Sequence, residues 1–276
     1  MKIRSIASGS GGNCVYVETE KTRILIDAGY SARQIEHMLK AVGIDARSLN
    51  AILVTHEHGD HVQGVGVLSR RFHIPVYANA GTWNAMARRV GKIAPSMQQA
   101  FRNRRRFFLR DLEIEAIPIH HDAADPVGFT IQHEDQRFSL ITDTGILDEN
   151  IIDAIAGSDI YYFEANHDVD MLVSGSYPEP LKERILSARG HLSNLQSARA
   201  LAELLEGRNE VVLLAHMSTE NNEELLCRDT IANVLWREGL DPDRSETILV
   251  APRMTASPLF DCSAGHAENV QEGILL

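Results

Sequence analysis

The sequence has few cysteines, and they lie far apart. Cys14, Cys227 and Cys262 are the three cysteines among 276 residues, and no two of them form a Cys-x-x-Cys pair. An odd number of distant cysteines argues against a disulfide framework and against a cysteine-ligated zinc site. Reduced thiols are typical of proteins in the cytoplasm, so a cytoplasmic location is expected.

Long apolar runs and an excess of positive charge are also missing. No stretch approaches the ~18 apolar residues of a membrane-spanning helix, and the first residues lack the apolar segment of a signal peptide. The formal net charge of −11 favours solubility and argues weakly against a general nucleic-acid-binding surface. It leaves room for a local basic groove, and a bound metal would add positive charge.

The remaining composition is that of a globular protein, with 44% hydrophobic and 24% charged residues. Without a low-complexity linker, the sequence predicts one domain over 1–276, with a core of about 1–255 and a polar tail over 263–276. Apolar runs and alternation predict strands, and the 3.6-residue period predicts helices. The expected strands are 3–7, 14–17, 23–26, 51–54, 112–117, 129–132, 138–141, 160–163, 211–214 and 248–250, and the expected helices are 32–42, 82–90, 148–156, 181–187, 195–205 and 223–236.

Helix-start signals are visible at two positions. Ser31 with Gln34 has the spacing of a capping box, and Gly43 is placed to end that helix. Asn194 is expected to cap the helix over 195–205. Strands that come early and then alternate with helices favour an α/β fold in which sheets are covered by helices.

The densest chemical signal follows the strand 51–54. His56, His58, Asp60 and His61 lie within six residues, where the strand end would give metal ligands a rigid base. Imidazole and carboxylate groups bind divalent ions such as Zn²⁺ and Mn²⁺. A solvated polar turn is the plain alternative, but it gives no reason for so dense a pattern.

Further candidate ligands repeat this context of an apolar run followed by a polar residue. They are His120, His121, Asp143 and His216, with His167 and His191 in similar positions. Each of them alone would more often be a surface or capping residue. Together they supply the additional ligands that two divalent ions require.

The string Thr-His-Glu-His-Gly-Asp-His over 55–61 resembles the signature of the metallo-β-lactamase superfamily, and Ile-Thr-Asp-Thr-Gly and Leu-Ala-His-Met-Ser resemble its later metal motifs. Within the superfamily, five strings resemble the YycJ (WalJ) group of 5′-to-3′ exonucleases. They are Ser-Gly-Ser-Gly-Gly-Asn-Cys, His-Asp-Ala-Ala-Asp-Pro-Val-Gly, Glu-Ala-Asn-His-Asp, Gly-His-Leu-Ser-Asn and His-Met-Ser-Thr-Glu-Asn-Asn. The resemblance implies an αββα sandwich, in which two mixed β-sheets are covered by helices on both outer faces.

The same resemblance implies a ligand set for two divalent ions, Zn²⁺ or Mn²⁺, with Fe as a further possibility. One ion would be held by His56, His58 and His121, the other by Asp60, His61 and His216, with Asp143 between them. The family string begins at the histidine before Asp-Ala-Ala-Asp-Pro, which favours His121 over its neighbour His120.

The implied activity is a phosphodiesterase acting on nucleic acid, with DNA expected rather than RNA. A water between two divalent ions loses its proton near neutral pH and attacks phosphorus. His191 would protonate or polarise the phosphate, Glu164 would orient His191, and Asp60 could take part in proton transfer. For His191, a helix-entry residue without a catalytic role is the alternative.

Substrate contacts are predicted in three places. The loop that holds Ser10 and Asn13 could offer N–H groups to a phosphate, or it could be a flexible turn. Arg104 and Arg105 belong to a stretch of arginines and phenylalanines over 101–110 that fits a nucleic-acid strip or a charged strand edge equally well. His167 is the third candidate.

Two other functions stay open. The fold also hosts small-molecule hydrolases that cleave thioesters, lactones or cyclic phosphodiesters, and the acidic composition slightly favours such an enzyme. A binding protein with a degenerate site is disfavoured by the complete ligand set. The intervals between the motifs are too short for the tRNA-binding arm of ribonuclease Z or for a β-CASP domain, which disfavours those RNA-processing roles.

Overall fold

The computed structural model describes residues 1–208, 210–240 and 248–262. The expected tail over 263–276 lies outside the described residues. The described strands form two mixed sheets of seven strands each. Their order across the first sheet is β14 (Phe260–Asp261), β1 (Lys2–Ala7), β2 (Cys14–Glu18), β3 (Arg23–Ile26), β4 (Ala51–Leu53), β5 (Val76–Ala78) and β6 (Gln98–Ala100).

The second sheet has an antiparallel half and a parallel half. Its strands, in order from one edge, are β13 (Ile248–Val250), β12 (Val211–Ala215), β11 (Ile160–Glu164), β10 (Gln136–Ile141), β9 (Val127–His133), β8 (Leu112–Pro118) and β7 (Arg106–Leu109). β10 to β13 run parallel, whereas β7 to β10 are antiparallel meanders. The expected hairpin of β9 and β10 is therefore present.

Helices cover the outer face of each sheet. In chain order they are α1 (Ala32–Ala41), α2 (Gly59–Val62), α3 (Val65–Phe72), α4 (Ala80–Val90), α5 (Glu149–Ile155), α6 (Val169–Ser174), α7 (Glu179–Leu186), α8 (Asn194–Leu204) and α9 (Glu224–Arg237). Short 3-10 turns cover Ala46–Ser48 and Pro95–Met97. Apolar side chains of α1, α3 and α4 pack on the first sheet, and those of α5, α8 and α9 pack on the second.

The largest apolar layer lies between the two sheets. β8 alternates along its length, so that Leu112, Ile114 and Ala116 face this layer while the glutamates between them point outward. Phe129 and Phe138 fill the same layer and are fully buried. The packing of both sheets on one core fixes the position of one sheet relative to the other.

The helix boundaries follow local capping chemistry. The predicted capping box of Ser31 and Gln34 is present at the start of α1. At the start of α8, however, the prediction of Asn194 as the cap is wrong. Ser193 is the cap, because its hydroxyl accepts the N–H of Gln196 and its own N–H donates to the Gln196 side chain. α4 also begins earlier than expected, with Asn79 as its cap.

No helix within the described ranges is long and apolar enough to cross a bilayer. The organisation as one domain over 1–276 stays a prediction.

A partly buried carboxylate links the two sheets at the edge opposite to the ends of β3 and β4. Asp111, in the turn between β7 and β8, accepts hydrogen bonds from the hydroxyls of Thr19 and Thr22 in the turn between β2 and β3. His133 lies 3.3 Å from the same carboxylate. Burial alone would raise the pKa of Asp111, but these hydroxyl donors and the histidine lower it below its usual value.

Asp111→Asn should therefore lower the free energy of unfolding at pH 7 by about 1 kcal/mol. Because the pKa is lowered in the folded state, the ionised carboxylate stabilises the fold above its unfolded pKa of about 4. That contribution is lost as the pH falls through the lower folded value. Urea unfolding at pH 7 and at pH 3 measures the difference, with the exposed Asp153→Asn as control. An equal loss of stability at both pH values would contradict the account.

Candidate metal centre

The candidate ligands meet because strand ends from both sheets share one edge of the sandwich. β4 leads into His56, β8 into His121, β10 into Asp143 and β12 into His216. Asp143 and His216 have positive φ angles of 62° and 53°, a conformation that is uncommon for residues other than glycine. The turns that follow β10 and β12 therefore direct these two side chains towards the shared edge of the sandwich.

One group of possible ligand atoms comes from His56, His58 and His121, which lie within 4.8 Å of one another. The Nδ1 atom of His56 lies 3.0 Å from the Thr55 hydroxyl, which leaves Nε2 to face the group. His58 Nδ1 lies 3.3 Å from His121 Nε2. His58 lies directly before α2, and His56 and His121 are buried.

A second group comes from Asp60, His61 and His216. The Asp60 carboxylate lies 3.5 Å from His61 Nε2 and 3.8 Å from His216 Nε2. Asp143 lies between the two groups. Its oxygens are 3.4 Å from His216 Nε2, 3.5 Å from His61 Nε2 and 3.8 Å from His121 Nε2.

The structure distinguishes the two adjacent histidines after β8. His121 is 2% exposed and faces the metal centre. His120 points away, because its Nε2 atom lies 2.9 Å from the carboxylate of Asp148, the N-cap of α5. Geometry thus places His121, rather than His120, among the possible ligands.

Unpaired buried atoms test whether these side chains fit a metal ion. Among the described residues, His56 Nε2, His216 Nε2 and Asp143 Oδ2 are buried without a hydrogen-bond partner. A buried polar atom without a partner is costly, and coordination to a cation removes that cost. Imidazole and carboxylate donors suit divalent ions. The site therefore fits divalent metal.

A buried glutamate holds two of the inward-facing rings. Oε1 of Glu164 lies 2.8 Å from Nδ1 of His191 and 2.9 Å from Nδ1 of His216. Its Oε2 accepts the N–H groups of Thr144 and Leu192. Burial alone would raise the pKa of Glu164, but the two histidines lower it far below its usual range. The ionised carboxylate fixes both rings so that each Nε2 faces the cavity.

Charge differs between the two ligand groups. Burial and the neighbouring rings of His61, His121 and His58 lower the pKa of His56 well below its usual value. Burial would also lower the pKa of His216, but attraction to Asp143 and hydrogen bonds to carboxylates raise it to about 10. Protons and metal ions compete for ligand nitrogens, so metal binding here is coupled to proton release.

Asp27 belongs to the site and was missed by the sequence analysis. Its carboxylate lies 2.8 Å from Nδ1 of His61 and also accepts the N–H and hydroxyl of Thr55. It has a positive φ of 61° directly after β3. The signal was present in the sequence, because Asp27 also follows an apolar strand as the other candidates do.

The open space at the centre is a cavity of about 260 Å³. One side of this cavity, around α7, was not predicted from the sequence; it is formed by Tyr177, Leu181, Arg184 and Ile185. The other lining residues are Ser10, His58, Asp60, His121, Asp143, Asn166, His191, His216 and Ser218.

The residues expected to contact substrate fall into different places. Ser10 lines the cavity, while Asn13 is buried with its side-chain nitrogen 3.1 Å from Nε2 of His61. The loop between them is tied down, because the N–H groups of Gly9, Gly12 and Asn13 donate within the protein. Those three groups are therefore not available to a phosphate. His167 is 1% exposed and does not line the cavity.

The arginine strip lies away from the cavity. Arg104 and Arg105 are exposed just before β7 and do not line the cavity. Arg106 pairs with Glu113 and Glu115 across the edge of the second sheet. Phe101 is buried in the core, whereas Phe108 is 70% exposed. The ion pairs of Arg106 and the burial of Phe101 fit the charged strand edge, whereas the exposed Arg104, Arg105 and Phe108 fit the nucleic-acid strip.

Comparison with known proteins agrees with this geometry. A family model described as a beta-lactamase superfamily domain matches residues 22–217. The chain belongs to this superfamily. Exodeoxyribonuclease YycJ of Bacillus anthracis is 39% identical over 234 residues, which are 85% of this chain and 89% of that protein. Exodeoxyribonuclease WalJ of Streptococcus pneumoniae is 39% identical over 262 residues, 94% of this chain and 97% of that protein.

A solved structure supports the same assignment of the fold. The metallo-beta-lactamase fold protein YhfI of Bacillus subtilis superposes with a TM-score of 0.69 at 16% sequence identity, covering 93% of this chain and 98% of that chain. The expected superfamily membership and the expected αββα sandwich are both confirmed. The predicted roles of the individual site residues stay proposals.

Asp27→Asn should weaken metal binding by about 10- to 100-fold, the usual effect of removing a partner that orients a ligating histidine. The neutral amide no longer fixes the His61 ring through a charged hydrogen bond. Isothermal titration with Mn²⁺ measures the affinity, and the exposed Asp229→Asn serves as the matched control. Unchanged affinity in Asp27→Asn would show that Asp27 does not orient a metal ligand.

Proposed function

We propose that this protein is a 5′-to-3′ exodeoxyribonuclease that uses two divalent metal ions. Its full-length similarity to the exodeoxyribonucleases YycJ and WalJ supports a nucleic-acid substrate. The single observation that carries the proposal from the structure is the position of His191. Glu164 holds this ring at the cavity wall, beside the group formed by Asp60, His61 and His216.

The donor atoms support two ions. We assign His56, His58 and His121 to one ion and Asp60, His61 and His216 to the other, with Asp143 shared. Their mixture of imidazole and carboxylate suits Zn²⁺ and Mn²⁺, and Fe fits the same donors. When bound, divalent ions activate water and stabilise the negative charge of a phosphodiester under attack.

The protein's own residues complete the chemistry. Because Nδ1 of His191 donates to Glu164, its Nε2 faces the cavity, where it donates a hydrogen bond to a phosphate oxygen or a proton to the leaving oxygen. The Glu164 carboxylate that accepts the Nδ1 hydrogen bond keeps the ring in that orientation. Asp60, whose side chain is 26% exposed, is placed to pass a proton to solvent.

We also propose that the protein is located in the cytoplasm. All three cysteines are free, and Cys14 and Cys227 are buried. Unpaired thiols suit the reducing cytoplasm, where a DNA substrate is also found.

A digestion assay tests the function. Purified protein with Mn²⁺ should shorten single- or double-stranded DNA stepwise from the 5′ end and act poorly on RNA. Asp60→Ala/His61→Ala should abolish the activity, because two proposed ligands of one ion are lost.

His191→Ala should lower the rate by about 10²-fold or more while metal content, measured by mass spectrometry, stays unchanged. Asp229→Ala is the matched surface control.

Two outcomes would contradict the proposal. If metal is bound but no polynucleotide is cut, the exonuclease assignment fails and cyclic phosphodiesters, thioesters and lactones become the substrates to examine. If His191→Ala cuts DNA at the wild-type rate, the role given to His191 is wrong.

A further inference from the structure

One wall of the cavity differs in chemistry from the metal-binding side. Tyr177 lies just before α7, and Leu181, Arg184 and Ile185 lie on the face of α7 that borders the cavity. Leu181, Arg184 and Ile185 are separated by three or four residues, which places them along one side of α7. This side, the α7 wall, offers an aromatic ring, aliphatic surface and a guanidinium opposite the metal centre.

Arg184 is held in a fixed orientation. Its Nε and Nη2 atoms donate to the two oxygens of Asp122 at 2.6 and 3.0 Å. Asp122 directly follows His121, so this pair fastens α7 to the loop that carries a proposed metal ligand. A guanidinium has five N–H donors in a planar fork, and Nη1 of Arg184 donates to no described residue. Of the described residues that line the cavity, Arg184 is the one with a permanent positive charge.

We propose that the α7 wall binds the nucleotide next to the scissile phosphate. Tyr177 stacks on the base of this nucleotide, and Arg184 binds the phosphate on its other side. This inference rests on the proposed nuclease function and specifies how that site holds its substrate. The wall is thus a binding element of the site, separate from the groups that carry out the hydrolysis.

The chemistry of the wall matches the two parts of a nucleotide. Every base has a π-face, and an aromatic side chain binds that face whatever the base. The remaining edge of an arginine already fixed by a carboxylate suits a phosphate oxygen, because little side-chain entropy is lost on binding. A cavity of about 260 Å³ is small beside the 300–1,000 Å³ of typical ligand pockets, which favours one nucleotide over several.

Paired changes in protein and DNA test the stacking contact. KM and kcat are measured on a 5′-labelled single strand with an abasic residue placed at each of the first three positions in turn. Tyr177→Ala should raise KM about 10-fold on intact DNA, with a smaller change in kcat. At the position whose base stacks on Tyr177, the abasic residue should raise the KM of the wild type by the same factor. In Tyr177→Ala, the same abasic residue should cause no additional increase in KM. Tyr177→Phe should behave as the wild type, because the ring and not the hydroxyl makes the contact.

The same design tests the arginine. Arg184→Gln should raise KM about 10-fold, and an uncharged methylphosphonate beside the cleaved bond should raise the wild-type KM by a similar factor. In Arg184→Gln, the methylphosphonate should cause no additional increase in KM. Arg47→Gln removes an exposed arginine far from the cavity and should leave the kinetics unchanged. Thermal melting of each variant verifies that the protein is folded.

The possible outcomes separate this inference from the function on which it rests. If the wild type does not shorten intact DNA, the nuclease proposal fails. The wild type could instead shorten DNA while the increases in KM from the protein change and from the DNA change multiply at every position. In that case the α7 wall does not bind the flanking nucleotide, and the nuclease proposal stands.

Discussion

Hydrogen bonds that histidine Nδ1 atoms donate to buried carboxylates determine the geometry of this site. Asp27 holds His61 on the side of the first sheet, and Glu164 holds His191 and His216 on the side of the second. Each carboxylate lies at the end of a strand whose flanks are packed in the core. Because the two sheets are rigid, these carboxylates fix the positions of the ring nitrogen atoms that face the cavity.

The proposed DNA substrate is a polyanion, whereas this chain is acidic. The net charge of −11 repels DNA at long range, and the exposed Arg104 and Arg105 near β7 do not line the cavity. Attraction at the cavity would come from divalent ions, which would offset the carboxylates, and from Arg184, which lines the cavity. We therefore expect affinity to depend on metal more than on a basic surface.

Much of the fold was predictable from local signals. Continuous apolar runs identified β4, β11 and β12 because strands buried on both faces need apolar residues throughout. The ligands after those strands could be located by the same pattern. The order and pairing of the strands could not be derived in that way, because they depend on contacts between distant segments, and here the family resemblance supplied the architecture. The cap of α8 was placed one residue late because Ser193 and Asn194 are both good capping residues and only the geometry decides between them.

The cavity wall was the least predictable part of the site. Tyr177 and Arg184 belong to a stretch without metal-ligand spacing, and their place beside the ligands results from the packing of α7. The burial of His167 and the outward position of Arg104 likewise depend on tertiary structure. Sequence motifs therefore predicted the candidate metal ligands, whereas the residues that would bind the substrate could be identified only from the three-dimensional structure.

The central claim is that two ions share Asp143, and a crystal structure with Mn²⁺ tests it most directly through anomalous scattering. We expect two anomalous peaks roughly 3.5–4 Å apart. One should lie against His56, His58 and His121, and the other against Asp60, His61 and His216, with Asp143 contacting both. A single peak in crystals saturated with Mn²⁺, or two peaks that Asp143 does not join, would contradict it.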